Sequence, residues 1–443
     1  MQKLLQYLWR VVVMLITSLL TKICFWRLLG KQNKPELELE VDAYVEPDTY
    51  TNTDTGSNFD PYVESDPYVE SDTYSNADAV DAAADTEASN DTDSLLRLLA
   101  SARRQCSYKR VGFIVKERTD LNHDSVHNAT GLHISSGLTA AGFRKLGVPA
   151  EVYEAHDGNS IDNIIKRNHL DVVVLEANWA LPTKIAELRR LHPNVSWFVR
   201  IHSEIPFLAH DGIAWTYMQA YDSLGVTILP NDPRTVWDLA GCIEHLDLLR
   251  NTYAVSEDIR FQKPVESDTI DIGCFGAIRS LKNHMRAACA AIRYANHVGK
   301  KLRFHINAER VEGGFVAANT LKNLRALLGA SLVEHGWLAQ GDFINIVCRS
   351  CSVVLVPSLS ETFNVVAADA VMAGVPVVTS NEVTWLKHIF DFAPNDPQAF
   401  YAALEYVMDH PAESWEQQVK ALQHWNADVI GEYEVLARRY FRK

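Results

Sequence analysis

The chain has 443 residues, 47% of them apolar, and a formal charge of −14, enough for a large core and two or three domains. The charge is uneven: residues 1–34 hold six Lys/Arg and no acid, residues 35–94 hold eighteen Asp/Glu and no base, and residues 95–443 sum to −2. The net charge therefore belongs to a tail, no nucleic acid is expected as a partner, and seven cysteines without framework spacing exclude a disulfide-stapled secreted fold.

In residues 1–34 the charge-free run between Arg10 and Lys22 is eleven residues, short of the roughly 20 that a spanning helix needs. Lys3, Gln6, Arg10, Thr17 and Thr21 share one helical face, which suits a basic amphipathic helix on an anionic membrane surface. The alternative is a helix packed on the folded domain or on a partner protein. "LTKICFWRLL" offers no small-residue cleavage site, and the later basic residues would keep the downstream chain cytoplasmic. The expected location is cytoplasmic, peripheral at or anchored to a membrane. Residues 35–94 carry the tandem "PYVESDPYVESD" and few aliphatics, a composition that reads as a disordered acidic linker.

From Tyr108 onward short β-branched runs alternate with helical patterns, the signature of parallel sheets covered by helices. The first series of predicted strands falls at 110–115, 150–155, 171–177, 196–202 and 225–230, with helices at 132–145 and 182–191 among them. A polar stretch at 250–268 reads as a hinge. The second series falls at 269–276, 301–307, 331–337, 352–358 and 375–380, followed by helices at 398–409, 413–424 and 427–441, the last expected to cross back to the first domain. The fold class is α/β, two doubly wound Rossmann-like domains facing a cleft, with domains at 95–255 and 256–443. Ligands of open α/β sheets bind where strands end and helices begin.

In "SVVLVPSLSETFNVVAADAVMAG" a buried strand leads through a polar turn into an apolar helix. Ser360 or Thr362 is the expected cap, and the first amides of such a helix attract phosphates. Glu361 stands beside that site and Asp369 lies about two turns further. The bland alternatives are an exposed turn acid and a helix acid paired with a nearby base. "GCFGAIRSLKNH" at 273–284 places Arg279 and Lys282 between a glycine turn and a helix, and "WFVRIH" ends a strand in His202. Each alone is more often a solvated or structural residue.

Together, "PSLSETFN", the acid after seven further residues and "AGVPVV" resemble the E-x7-E region of retaining GT-B glycosyltransferases, especially family 4. The resemblance spans roughly residues 109–441 and is densest over 270–380. It implies a nucleoside-diphosphate sugar as donor, with Glu361 near the sugar, Thr362 and the amides of Phe363, Asn364 and Val365 at the phosphates, and Asp369 on the ribose. It also implies that Arg279 and Lys282 neutralise the diphosphate, that His202 lies by the reacting sugar, and that Thr130 and Gly131 belong to an acceptor or phosphate loop. The chain has Asp369 where the family has Glu, and Ala277 where an Arg follows the glycine. His305, Asn307, His335 and Trp337 end later strands, where base binding and packing are equal readings.

No HExxH or other ligand spacing is present, so no metal and no cofactor are implied. The resulting expectation is a hexosyltransferase, retaining and metal-independent, acting on an unidentified glycan, lipid or protein acceptor. The alternative is a catalytically decayed sugar-nucleotide-binding or scaffold protein tethered to a membrane or partner.

Overall fold

The computed structural model describes residues 107–117 and 131–443. The N-terminal segment 1–34, the acidic segment 35–94 and Thr130 lie outside the described residues.

The first sheet is built from β1 (Val111–Lys116), β2 (Ala150–Ala155), β3 (Val172–Glu176), β4 (Ser196–Ile201) and β5 (Thr227–Pro230). Between and after them run α1 (Gly131–Lys145), α2 (Ser160–Asn168), α3 (Pro182–Leu191), α4 (Ile205–Leu208), α5 (Ala214–Ser223) and α6 (Pro233–Leu239). The strand order is β2-β1-β3-β4-β5, all parallel. Alternate residues go to opposite faces, both covered, which is why the strands read as continuous apolar runs. Ile114, Val173, Leu175 and Val199 enter one core cluster, whereas Phe113, Val172, Val174 and Phe198 enter the other.

The second sheet contains β6 (Thr269–Gly273), β7 (Lys301–Asn307), β8 (Leu332–His335), β9 (Val353–Val356) and β10 (Val377–Thr379), with α7 (His284–His297), α8 (Gly314–Leu328), α9 (Gln340–Ser350) and α10 (Val365–Met372) between them. Its order is β10-β9-β6-β7-β8, again parallel. Each sheet thus reverses its strand order once, between β1 and β3 and between β6 and β9, and a crevice opens at such a switch point beyond the strand ends. At the foot of α10 Gly374 turns the chain with φ +82°, and a Cβ there would lie 2.2 Å from the Arg260 carbonyl oxygen. Only glycine fits that turn.

Two helices close the chain, α11 (Pro397–Asp409) and α12 (Pro411–Leu436). At 1.5 Å per residue α12 is about 39 Å long, enough to reach from one sheet to the other. It starts on the second: Trp415 Nε1 donates to the Val371 carbonyl at 2.7 Å, and Gln418 pairs with both backbone groups of Val377. Midway, Asn426 accepts from the Tyr253 amide at 2.9 Å and the Thr252 hydroxyl at 2.8 Å. It ends on the first: Tyr433 stacks on Phe143 with ring centroids 4.5 Å apart, and Phe441 meets the same ring edge-on. The Lys109 amide then donates to the Phe441 carbonyl at 2.7 Å. The expected crossing is therefore made by one helix that begins at residue 411.

Because Phe441 is wholly buried at this last contact, Phe441→Ala should lower stability by about 3–5 kcal/mol. Urea unfolding of the full chain checks this, and a loss below about 1 kcal/mol would show that the terminal crossing does not hold the first domain.

Candidate active site

The cleft between the two sheets encloses about 680 Å³. Its second-domain wall is formed by the turns after β6 and β9, which lie together because the two strands are neighbours. The Leu359 amide donates to the Leu281 carbonyl at 2.8 Å, and Asn283 Nδ2 to the Pro357 carbonyl at 3.1 Å. After β6 the chain turns at Gly276 (φ +99°), whose amide donates to Asn307 Oδ1 at 3.0 Å. The next turn presents Arg279 and Lys282 to the cleft.

Lys282 Nζ is ion-paired with Glu361 Oε2. The same carboxylate accepts from Asn364 Nδ2 at 2.8 Å and from the Thr362 amide at 3.2 Å. Burial works to raise the Glu361 carboxyl, but the Lys282 charge and these hydrogen bonds outweigh it and hold the group below its ordinary range. Glu361 is therefore an ionised carboxylate at neutral pH. Arg279 stands beside the pair with a different partner: its Nε donates to Glu312 Oε2 at 2.6 Å, and its guanidinium lies 5.1 Å from the Phe207 ring centre.

The cap of α10 differs from the expected Ser360 or Thr362. Asn364, at φ 58°, accepts from the Ala367 amide at 2.8 Å. Thr362 is drawn to the first domain, where its hydroxyl donates to the His202 carbonyl at 3.3 Å and accepts from Asn231 Nδ2 at 3.1 Å. Ser360 Oγ lies 3.5 Å from Glu204 Oε2. Capping preference ranks these residues nearly alike, so the tertiary partners decide. Val365 and Val366, in the first turn of α10, line the cleft, where helix amides have no intrahelical acceptor. Phe363 instead turns into the core beside Tyr253, Trp385 and Trp425.

Asp369 lines a smaller recess of about 90 Å³ with Gly131, Asn307, Trp337 and Gln340. Its side chain meets no base: Oδ1 accepts from Gln340 Nε2 at 2.7 Å and from the Tyr253 hydroxyl. Burial pushes its carboxyl up to about 6 despite these two hydrogen bonds. His305 and His335 do not reach the recess: His305 is held between Asp271 at 2.7 Å and His335 at 2.9 Å.

On the opposite wall His202 reaches the cleft at the end of β4, and its Nε2 pairs with the Glu176 carboxylate. Glu176 ends β3 directly opposite Arg200 in the register, and both side chains are wholly buried with Arg200 Nη1 3.4 Å from Glu176 Oε1. Burial raises Glu176, but Arg200 and His202 overcome that and keep it ionised. Burial lowers His202 further than Glu176 restores it, so the imidazole is neutral and its Nε2–H donates to the carboxylate. Sequence reasoning missed Glu176; the available signal was an acid closing the apolar run "DVVVLE". Of the predicted residues, Gly131, His202, Arg279, Lys282, Glu361, Thr362, Asn364 and Val365 all line the one cleft. Among the described residues no group of three or more His, Cys, Asp or Glu is arranged to hold a metal ion, and no helix is long and apolar enough to cross a membrane.

Residues 269–410, the second domain from β6 to the start of α12, match the family model described as "Glycosyl transferases group 1". The comparison with curated proteins returns no match. Among solved structures the chain is similar to sucrose-phosphate synthase from Thermosynechococcus elongatus, with 13% identity, 75% of this chain and 99% of that one covered, and a TM-score of 0.55. It is also similar to HepE from Anabaena in complex with UDP and glucose, with 13% identity, coverage of 75% and 99%, and a TM-score of 0.52. The chain therefore has the GT-B fold, two Rossmann-like domains around a cleft.

Proposed function

We propose that the protein is a glycosyltransferase that takes a hexose-type sugar from a nucleoside-diphosphate sugar and passes it, with retention and without a metal, to a glycan, lipid or protein acceptor. The observation that carries this reading is the Lys282–Glu361 pair, a cation and a carboxylate held on adjoining turns at the switch point of the second sheet. A diphosphate entering there would compete with Glu361 for Lys282 and gain the amides at the start of α10. Arg279 would add its guanidinium on leaving Glu312. The family match over 269–410 supports the donor assignment, as does HepE, solved with UDP and glucose. Retention rests on the E-x7-E resemblance.

The bond that breaks joins the sugar's C1 to a phosphate oxygen, which keeps the electron pair; the acceptor's hydroxyl oxygen would bond to C1 and its proton would pass to the departing phosphate. Lys282, Arg279 and the helix amides would stabilise that charge as it develops, which is worth more in a site that excludes water. Glu361, released from Lys282, would orient the sugar and share the positive charge growing at C1. The neutral His202, steered by Glu176, offers Nδ1 as an acceptor for a sugar or acceptor hydroxyl. Asp369 would take a ribose hydroxyl in the small recess, with Gln340 and Tyr253 fixing its rotamer. The shorter arm of Asp369 and its existing partners favour one second reading, a protein that binds sugar nucleotides without turning them over.

A thermal-shift screen of nucleoside diphosphates and their sugars against the full chain should identify the donor by mass action. With that donor, Glu361→Ala and Lys282→Ala should each lower turnover by about 10²–10³-fold with folding intact. Binding without turnover across a broad acceptor panel would support the second reading instead.

Asp369 gives a separate test. Its carboxyl is raised in the folded state, so its contribution to stability is complete below about pH 4 and is lost as pH rises through about 6. Asp369→Asn keeps the acceptor oxygen without the charge. Relative to wild type it should gain about 2–3 kcal/mol in urea unfolding between pH 4 and pH 8, and it should bind nucleoside diphosphate more weakly at pH 8. A pH-independent difference would contradict the buried, charged assignment.

The peripheral membrane role stays with residues 1–34. The full chain should float with anionic liposomes and the chain lacking those residues should not; equal flotation would refute the role.

A further inference from the structure

A second group of charged side chains joins the two domains behind the Glu361 turn, and its centre is Arg234. This residue lies in the first turn of α6, where Asp232 Oδ1 accepts from its amide at 2.8 Å and from its Nε at 3.1 Å. Glu204, also in the first domain, is ion-paired with Nη2. From this anchorage the guanidinium reaches into the second domain. Nη2 donates to the Glu361 carbonyl at 2.8 Å and to the Glu382 carbonyl at 3.1 Å, and Nη1 donates to Glu382 Oε2 at 2.9 Å.

We infer that Arg234 is a positioning residue: by gripping the main chain of Glu361 from the opposite domain, it makes correct placement of the Glu361 carboxylate depend on closure of the cleft. The inference rests on the transferase reading of the site. Its basis is where the contacts fall. Arg234 binds the backbone oxygen of Glu361 and leaves the carboxylate to Lys282. The next residue is held by the same domain through its side chain, whose hydroxyl meets Asn231 and the His202 carbonyl, so two successive residues take their orientation from across the cleft. A planar fork of five N–H groups can serve acceptors on both sides at once, which a lysine ammonium cannot.

The charge balance acts in the same direction. Facing the guanidinium are Glu204 and Asp232 from the first domain and Glu382 from the second, with the Glu361–Lys282 pair adjoining. Burial first, and then the neighbouring acids Asp232, Glu382 and Glu361, push the Glu204 carboxyl up to about 8 against the pull of Arg234. Arg234 is thus the cation that Glu204, Asp232 and Glu382 share. Without the guanidinium the closed arrangement brings these carboxylates together with no shared cation, which opposes closure.

The test uses the full chain as wild type, Arg234→Ala, Arg234→Lys and Glu382→Gln, with two readouts. Amide hydrogen exchange of residues 359–363, measured without ligand, should rise by about tenfold or more in Arg234→Ala and less in Arg234→Lys and Glu382→Gln. With UDP-glucose as the probe donor, kcat for Arg234→Ala should fall by about 30-fold or more while KM stays within about threefold, the split expected for a residue that does not bind the donor. Added methylguanidinium should restore part of that kcat. Unchanged exchange, unchanged kcat or an equal loss shared by KM would overturn the inference. If Arg234→Ala does not fold, the same criteria apply to Arg234→Lys and Glu382→Gln. Wild type that turns over no nucleotide sugar would overturn the transferase reading and with it the catalytic role of Arg234, while exchange alone would still decide whether the clasp exists.

Discussion

The ion pair between Lys282 and Glu361 is the interaction on which the cleft depends. Both side chains are largely buried, 21% and 13% exposed, and removing one partner of such a pair typically costs about 3–5 kcal/mol because the other charge is left stranded. The pair exists because β6 and β9 are neighbours at a reversal of strand order, so the turns that follow them abut. In the proposed reading a polyanion would replace the carboxylate on Lys282, while Glu361 keeps Asn364 and the Thr362 amide as donors.

Neither domain completes the site alone. The second supplies the cation, the carboxylate and the helix start; the first supplies His202 with its Glu176 and Arg200 support, and the contacts that orient residues 361 and 362. The α12 crossing ties the two along the connecting segment, through Asn426 at Tyr253 and through Arg250, whose guanidinium stacks 4.3 Å from Trp425 and pairs with Glu432. Tyr253 is itself a partner of Asp369. The connecting segment thus contacts the carboxylate that lines the smaller recess.

The architecture was legible because buried parallel strands write themselves as continuous apolar runs with polar turns between them. Glu361, Lys282 and Asp369 stood out for the same reason: charged residues at strand ends or inside an apolar helix need a reason to be there. What was not legible depended on partners distant in sequence. Asn364 rather than Ser360 or Thr362 caps α10 because the first domain recruits the other two. Arg279 meets Glu312, Glu176 meets His202, and Arg234 reaches Glu361 over 127 positions. No local pattern encodes such pairings. Residues 1–94 and Thr130 lie outside the described residues, so the amphipathic and linker readings rest on composition.

The central claim is that Glu361 occupies Lys282 until a donor diphosphate takes its place. Calorimetric titration of UDP, as probe, into wild type and Glu361→Gln measures this directly, because the amide keeps the shape of the side chain and removes the competing charge. UDP should bind Glu361→Gln at least as tightly as wild type. Binding weaker by about tenfold or more, 1.4 kcal/mol, would mean that the carboxylate supports the nucleotide rather than holding its place, and would contradict the account.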